Sequence, residues 1–328
     1  MSGQKLGKLG KVAVIPGDGI GPEVVESALA VLAAAGVDLD LVFLEIGLGR
    51  WKKTGSAMEQ VDLETIRECD CVLFGAIATP PDPGYKSVLL RLRKELDLYA
   101  NIRPFRSGKL DFIIVRENTE GLYSGREMVS ADEATTLRVI TRRGSERIAE
   151  KACDLAEKRS KLTIVHKSNV LQSDRLFLRI CQQVAKRRGV AAEEMLVDAA
   201  AYNLVVNPGR FDVLVTTNLF GDILSDEAAG VIGSLGLCAS ANLGASHALF
   251  EPIHGSAPDI AGKGIANPVG AIRSAAMMLE WMGDARTAVR IEEAVKWSLE
   301  QGIKTPELGG KGTTSQVTVA IIERLKSA

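Results

Sequence analysis

The stretch Val12-Ala-Val-Ile-Pro-Gly-Asp-Gly-Ile-Gly-Pro22 decides the fold class of this chain. Its first four residues form an apolar run rich in β-branched side chains, which predicts a buried strand. The glycines that follow predict a tight turn, and the amphipathic segment over 22–35 predicts a helix with Pro22 in its first turn. A strand that enters a helix through a tight turn is the opening unit of an α/β fold.

The same alternation continues along the chain. Apolar runs predict strands at 41–44, 71–74, 112–115, 162–165 and 213–215, and helical periodicity predicts helices at 145–158, 173–186, 267–282, 284–300 and 315–326. Strands that alternate with helices indicate α/β architecture with a largely parallel sheet. The segment 129–139 differs, because a polar stretch precedes residues of high β propensity, and it predicts a hairpin arm.

The glycines between Gly17 and Gly21 stand where a dinucleotide-binding fingerprint would lie. Their spacing is G-x-G-x-G, and the third glycine of that fingerprint is absent. A classical Rossmann site is therefore not expected.

Composition narrows the function classes. The chain has 328 residues, of which 46% are hydrophobic and 25% charged, and this length suggests about two domains. The net charge of -1 argues against nucleic acid or an anionic membrane as partner. Five cysteines in apolar segments indicate buried, reduced thiols, and only three histidines exclude a His-rich metal site.

The N-terminal residues Met1–Lys8 contain no apolar core of a secretory signal. No run approaches the ~18 apolar residues that a membrane-spanning helix needs. We therefore expect a cytoplasmic protein.

The stretch Asn218-Leu-Phe-Gly-Asp-Ile-Leu-Ser-Asp226 carries the clearest functional signal. On a helix, Asp222 and Asp226 lie on one face one turn apart. Two carboxylates that close repel each other, and a hard divalent cation with oxygen ligands offsets the repulsion. A third acid, Asp198, lies at the end of a predicted short strand.

Cationic and proton-transfer side chains occur in several other motifs. Guanidinium groups grip carboxylates with two hydrogen bonds, so the arginines predict a small polycarboxylate substrate chelated to the metal. Lys167 follows a strand, where desolvation suits it to act as a general base, and Tyr123 is a candidate general acid. The arginines concerned are Arg91, Arg93, Arg103 and Arg116.

The segment from Glu251 to Pro268 is a glycine-rich loop between regular elements. Loops of this composition allow the backbone to approach a ligand closely.

Together these motifs resemble the isocitrate/isopropylmalate dehydrogenase family of metal-dependent β-decarboxylating dehydrogenases. The resemblance runs from Ile15 to Gly310 and rests most on Leu98–Pro104, Asn218–Asp226 and His254–Pro268. It implies an isopropylmalate-dehydrogenase-like fold of two α/β domains around a shared mixed sheet. The first domain would comprise 1–98 and 233–328, and the second would be 99–232 with the dimerisation arm.

The resemblance also implies a site that two subunits of a homodimer complete, with Lys167, Asn169 and Asp198 supplied by the partner; pairing of dimers into tetramers stays open. Tyr123 and Lys167 resemble the acid and base of the family, and Arg91 matches no family position, so it is expected at the surface. The implied Mg²⁺ or Mn²⁺ ligands are Asp198, Asp222 and Asp226. The implied substrate contacts are Ser87, Leu89, Leu90, Arg93, Arg103, Arg116 and Asn169. The implied NAD contacts are Glu251, His254, Gly255, Ser256, Ala257, Asp259, Ile260 and Asn267.

The substrate is expected to be a 3-substituted malate. Leu89 and Leu90 match the leucines of isopropylmalate enzymes, which favours 3-isopropylmalate and a role in leucine biosynthesis. Tyr85-Lys-Ser87 is more similar to archaeal homoisocitrate enzymes, and Lys86 could meet a distal carboxylate, so homoisocitrate is the alternative. Isocitrate and a tartrate-like substrate are the remaining alternatives, and the sequence favours them less than 3-isopropylmalate or homoisocitrate.

Two further expectations follow from the resemblance. NADP-dependent relatives carry Lys-Tyr at the positions of Asp259 and Ile260, so NAD is expected here. A non-catalytic regulatory subunit is the alternative from another class, although such subunits lose metal ligands or the lysine, and this chain retains them.

Overall fold

The computed structural model describes residues 8–82 and 84–327. The expectation that no secretory signal is present concerns residues 1–7, which lie outside the described residues. Within the described part of the chain, no helix is long and apolar enough to cross a membrane.

The chain has a mixed α/β fold with a large mixed β-sheet, as the alternation of strands and helices predicted. The strands are β1 (Lys11–Gly17), β2 (Asp40–Phe43), β3 (Cys71–Ala76), β4 (Ala100–Ser107), β5 (Leu110–Glu117), β6 (Glu127–Val129), β7 (Ala134–Thr136), β8 (Leu162–His166), β9 (Ala192–Leu196), β10 (Val213–Thr216), β11 (Ala239–Leu243) and β12 (Ala248–Pro252). The helices are α1 (Gly21–Ala34), α2 (Leu48–Thr54), α3 (Gln60–Arg67), α4 (Val88–Glu95), α5 (Arg142–Ala156), α6 (Gln172–Arg188), α7 (Val197–Val206), α8 (Asn218–Ile232), α9 (Val269–Trp281), α10 (Ala285–Glu300) and α11 (Thr314–Ser327).

The internal contacts divide the chain into two compact units. Unit 1 ends at Leu96 and resumes over Ser234–Ala241 and from Ser246 onward, and unit 2 comprises Asp97–Gly233 with Asn242–Ala245. The domain limits implied by the resemblance stay a prediction.

Unit 1 is built on parallel strands covered by helices. Strands β2, β1, β3 and β12 are neighbours in that order, and the pairs β1–β2, β1–β3 and β3–β12 are parallel. The residues of β3 are all buried, as expected for a strand covered on both faces. Helix α1 packs against α9 and α11, and its start carries Pro22, which lacks an N–H that a first turn would leave unpaired.

Unit 2 has a mixed sheet and a separate hairpin. Strands β5, β10, β8 and β9 are parallel neighbours, whereas β4 pairs with β5 in antiparallel register. Strands β6 and β7 pair as an antiparallel hairpin, which confirms the arm predicted at 129–139. Met128 and Val129 of this hairpin are 69% and 78% exposed, so its apolar side chains lack a cover within the described chain.

The glycine turn after β1 has a steric role that its spacing alone did not reveal. Gly17 and Gly19 have φ of 76° and 61°, in the left-handed region that favours glycine. A Cβ on Gly19 would lie 1.8 Å from the carbonyl oxygen of Ser256, and the neighbouring Ile20 N–H donates to that oxygen at 2.9 Å. The turn therefore holds the loop that follows β12 by close backbone contact.

The structure differs from the sequence-based predictions for Asp198 and Arg91 and agrees with them for the cysteines. Asp198 is not at the end of a strand: β9 stops at Leu196, and Asp198 stands in the first turn of α7, where a carboxylate suits the helix dipole. Arg91 is half-buried rather than a surface residue, because its guanidinium donates to the Met58 carbonyl at 2.8 Å. The five cysteines are buried, as expected.

Candidate active site

The densest group of functional side chains lies in unit 2, around the first turns of α8. As predicted, Asp222 and Asp226 stand one turn apart on this helix. Arg116 comes from β5 and Arg103 from the antiparallel neighbour β4, where both face the start of α8. Tyr123 stands on a short 3-10 turn, Leu122–Ser124, close to the same helix.

Asp222 is the acceptor at the centre of this group. Its Oδ1 accepts a short hydrogen bond from Nη1 of Arg116 and lies 3.6 Å from Nη1 of Arg103. Its Oδ2 accepts the hydroxyl of Tyr123 at 2.9 Å. The guanidinium of Arg116 also lies 5.6 Å from the centre of the Tyr123 ring, a distance typical of a cation–π contact.

Both arginines of this group are oriented by buried polar partners. Arg116 is 1% exposed and donates to Oδ1 of Asn218 at 2.8 Å. Arg103 is 5% exposed and donates to Asn101 at 2.9 Å and to Ser225 at 2.5 Å. Buried charges that are held in this way present their remaining N–H groups in a fixed geometry, which suits bidentate recognition of a carboxylate.

Gly221 allows the close packing of α8 on Arg116. A Cβ at this position would lie 2.6 Å from Cγ of Arg116. Gly221, Asn218 and Ser225 were not predicted as site residues, although all three stand inside the motif that carries the aspartate pair.

Asp226 differs from Asp222 because its carboxylate meets no donor in the part of the chain that the structure describes. Among residues 8–82 and 84–327, no hydrogen bond or ion pair to its carboxylate is present. Partial burial raises the pKa of Asp226; the charge on Asp222 adds to that rise, while Arg103 opposes it. A carboxylate that lacks a donor and lies one turn from another carboxylate fits a divalent cation with oxygen ligands.

The third proposed metal ligand belongs to a different group. Nζ of Lys167 lies 2.6 Å from Oδ1 of Asp198, and this hydrogen bond lowers the pKa of Asp198. Asn169, two residues beyond Lys167, is exposed. No cluster of three or more His, Cys, Asp or Glu side chains suited to a metal forms within the described chain. One chain therefore places Asp198 with Lys167, apart from Asp222 and Asp226.

The candidate substrate residues of unit 1 stand on α4 and the residue before it. Ser87 caps α4, accepting the N–H of Leu90 at 3.4 Å. Leu89 is half-buried and Leu90 is 43% exposed. Arg93 is buried and pairs with Glu251 at 3.1 Å. The sequence assigned these two residues to substrate and cofactor respectively, and the structure brings them into contact.

The candidate cofactor loop follows β12. Nδ1 of His254 donates to the Gly255 carbonyl at 3.0 Å, and burial lowers the pKa of the imidazole. Ala257 has φ of 36°, which is unusual for a residue with a Cβ, and its carbonyl accepts the N–H of Ile260 at 3.1 Å. Asp259 is exposed.

Asn267 stands at the end of this loop and is buried. Its amide nitrogen donates to Oε1 of Glu307 at 2.8 Å, and its Oδ1 accepts the N–H of Val269 at 3.1 Å. Both ends of the side chain are therefore engaged within unit 1.

We predict that the two aspartates of α8 contribute unequally to the free energy of unfolding. Asp222→Ala should lower the free energy of unfolding by about 1–3 kcal/mol, because buried Arg116 and the Tyr123 hydroxyl lose their acceptor. Asp226→Ala should change it by less than ~0.5 kcal/mol, since no partner is lost. Alanine raises the helix propensity equally in both variants. The difference between their free energies of unfolding, measured with urea in metal-free buffer, therefore reports the lost contacts. Equal destabilisation of the two variants would contradict this view of the site.

Comparison with known proteins supports the resemblance. The family model described as isocitrate/isopropylmalate dehydrogenase matches residues 11–321. The chain is 49% identical to an isocitrate/homoisocitrate dehydrogenase of Pyrococcus horikoshii, over 96% of this chain and 92% of the relative. It is 45% identical to a 3-isopropylmalate/3-methylmalate dehydrogenase of Methanocaldococcus jannaschii, over 96% and 99% of the two chains.

Solved structures agree with this relationship. The crystal structure of an isocitrate dehydrogenase from Methylococcus capsulatus matches with a TM-score of 0.93 and 46% identity, covering 96% of this chain and 99% of that one. The chain therefore belongs to the isocitrate/isopropylmalate dehydrogenase family and has the fold of its dehydrogenases, which confirms the resemblance found in the sequence.

Proposed function

We propose that this decarboxylating dehydrogenase oxidises and decarboxylates a 3-substituted malate with NAD and a divalent cation, Mg²⁺ or Mn²⁺. The observation that carries the proposal is the group of Arg103, Arg116, Tyr123, Asp222 and Asp226 around α8. The group brings together two arginines that suit substrate carboxylates, the phenol of Tyr123, and the Asp226 carboxylate, which has no partner in the described chain.

The chain's own residues would share the chemistry as follows. NAD supplies the hydride acceptor and the cation stabilises negative charge that develops on the substrate oxygen. Arg103 and Arg116 hold the substrate carboxylates. Lys167 takes the proton of the C2 hydroxyl as the hydride leaves C2, the β-keto acid loses CO₂, and Tyr123 returns a proton to C3. The O–H of Tyr123, held by Asp222, is the proton donor in this assignment.

We further propose that two copies of the chain form the working enzyme. Helix α7 packs against α8, and together they expose Tyr202, Val205, Val206 and Ile223, which are 54–66% exposed. Exposed apolar side chains on two neighbouring helices suit an interface. A second copy would also explain why one chain does not bring Asp198 and Lys167 to Asp222 and Asp226.

The first candidate substrate is 3-isopropylmalate, which would place the chain in leucine biosynthesis. Leu89 and Leu90 support it, because burying a branched alkyl group on such side chains contributes about 1.5–3 kcal/mol. Leu90 is open to a ligand, being 43% exposed.

The second candidate substrate is homoisocitrate. Lys86 favours it: this lysine is exposed, stands directly before Ser87, and its ammonium has no ion pair or hydrogen bond to another described residue. An ammonium at the start of α4 could receive the extra carboxylate. The names of the Pyrococcus relative and of others at similar identity point the same way.

A cytoplasmic location is part of the proposal. The burial of all five cysteines inside the fold supports it, because buried thiols stay reduced in that compartment.

A panel assay tests the reaction and separates the two substrates. With NAD and Mg²⁺, wild type should oxidise 3-isopropylmalate or homoisocitrate, and Asp226→Asn should lose turnover while it remains folded. Lys86→Ala should lower kcat/KM for homoisocitrate about tenfold and leave that for 3-isopropylmalate within about twofold, because one charge contact is worth ~1.5–3 kcal/mol at most. Full Mg²⁺-dependent activity of Asp226→Asn would refute the metal assignment, and inactivity of wild type toward the panel would favour a regulatory subunit.

The cofactor loop predicts NAD rather than NADP. Asp259 can accept hydrogen bonds from the adenosine ribose, and its charge repels a 2′-phosphate. Wild type should therefore show a higher kcat/KM with NAD⁺, and Asp259→Asn should narrow the difference by raising kcat/KM for NADP⁺. A preference of wild type for NADP⁺ would contradict the assignment of this loop.

Mixing of two inactive variants tests the shared site. If Lys167 acts in the partner's site, Lys167→Ala and Asp226→Asn should each be inactive alone. After mixing and subunit exchange, mixed dimers carry one intact site, so activity should return to about a quarter of wild type. No recovery, with exchange verified by mass spectrometry, would show that each chain carries its own complete site.

A further inference from the structure

Asp174 is a fully buried carboxylate that the proposed reaction does not use. It stands in the first turn of α6 and is 0% exposed. Its Oδ2 accepts the backbone N–H of Lys167 at 2.6 Å, directly after β8 ends at His166. This contact fixes the backbone at the position from which the Lys167 side chain departs.

Arg138 neutralises Asp174 and connects it to two other segments. Its Nη1 makes a short hydrogen bond to Oδ1 of Asp174 and a second one to Ser173 at 2.8 Å. Its Nη2 donates at 2.9 Å to the hydroxyl of Thr217, the residue that precedes α8. Arg138 itself lies just beyond β7, at the base of the hairpin arm.

The segment between β8 and α6 is also held by hydrogen bonds of its own and by Arg175, whose Nε donates to the Ser168 carbonyl at 2.9 Å. The carbonyl of Lys167 accepts the N–H groups of Val170 and Leu171, at 3.1 and 2.9 Å, which closes a turn over 167–171. Ser168 donates to Nδ1 of His166 at 3.1 Å, and Asn169 is exposed. The Asp174 carboxylate is the one charged group of the described chain that receives the Lys167 N–H.

We propose that Asp174 and Arg138 are positioning residues that set the place of Lys167. The pair connects three segments by hydrogen bonds: the base of the hairpin arm, the turn that carries Lys167, and Thr217 before α8. Helix α8 carries the proposed metal ligands. The inference rests on the proposed role of Lys167 as the general base. Since neither side chain is part of the substrate or metal contacts proposed above, their effect should fall on the proton-transfer step.

The chain contains a matched control for this arrangement. Asp212 also combines an arginine with a backbone N–H, accepting Nη1 of Arg159 at 2.8 Å and the N–H of Ser160 at 2.6 Å. Both side chains are mostly buried, at 19% and 17% exposure, and they lie in the same unit. No candidate site residue is adjacent to Asp212 along the chain.

The first readout is hydrogen exchange and needs no activity. Asp174→Asn keeps the shape of the side chain but turns an N–H donor toward either Arg138 or Lys167. Exchange of the amides over 167–171 should therefore accelerate at least about tenfold in Asp174→Asn and stay at the wild-type rate in Asp212→Asn. Unchanged exchange over 167–171 in Asp174→Asn would overturn the proposal, whether or not the enzyme is active.

The second readout is the division between kcat and KM. Asp174→Asn should lower kcat about 10- to 100-fold, as expected for a displaced catalytic group, with KM for substrate and NAD within about twofold of wild type. Asp212→Asn should lower Tm without changing kcat. Equal kcat for Asp174→Asn and wild type, or an equal fall in both aspartate variants, would overturn the proposal and leave the proposed reaction intact.

A second pair of variants protects the test against misfolding. Arg138→Gln leaves Asp174 able to hold the Lys167 N–H, so it should show the same pattern with a smaller fall in kcat, and Arg159→Gln is its control. If Asp174→Asn does not fold, this pair decides: a fall of kcat in Arg138→Gln alone supports the proposal, and equal values refute it. If wild type oxidises no 3-substituted malate, the proposed function fails, and hydrogen exchange alone decides whether Asp174 orders the Lys167 turn.

Discussion

The need to compensate the buried charge of Arg116 constrains the candidate site of unit 2 more than any other interaction. An ion removed from water costs several kcal/mol unless a partner of opposite charge receives it. Arg116 is 1% exposed, and Asp222 is the carboxylate that receives it. Because Asp222 is fixed on α8, this pairing sets both the rotation of the helix and its distance from β5. Gly221 permits that distance, since a Cβ there would overlap Arg116.

Much of the fold followed from the sequence, and the reasons for the exceptions are physical. Strand β1 and helices α1, α5, α6, α9, α10 and α11 lie within a few residues of their predicted limits, because apolar periodicity is strong in each. Strand β11, with the sequence Ala-Ser-Ala-Asn-Leu, was missed because small and polar side chains give no strand signal, although its first four residues are buried. Helices α2 and α3 are short, and Asp18 stabilises the start of α2 by accepting the N–H groups of Leu48 and Gly49, a long-range contact that local pattern does not reveal.

The residue types of the candidate site could be predicted from the sequence, whereas the contacts between its side chains could not. The spacing of Asp222 and Asp226 predicted one helical face, and α8 places them there. No motif indicated that two arginines hold Asp222 while Asp226 has no partner in the described chain. Arg93 and Glu251 stand 158 residues apart, so their contact depends on the fold rather than on any motif. Asn101 and Ser225, which orient Arg103, carry no signal of their own, because buried amides and hydroxyls are common in any core.

The group around Asp222 and the Lys167–Asp198 pair, both in unit 2, differ in charge and exposure. Around Asp222, the positive charges of Arg103 and Arg116 balance the negative charges of Asp222 and of Asp226 one turn away. Lys167 and Asp198 form a self-contained ion pair with partly exposed side chains, and such a pair contributes little to stability in water. The buried Asp174–Arg138 pair holds the backbone of Lys167, whereas Asp198 stands on α7 and accepts a hydrogen bond from the Lys167 ammonium. The exposed apolar side chains of α7 begin within one turn of Asp198, so a copy of the chain that docks on this helix would lie next to both residues.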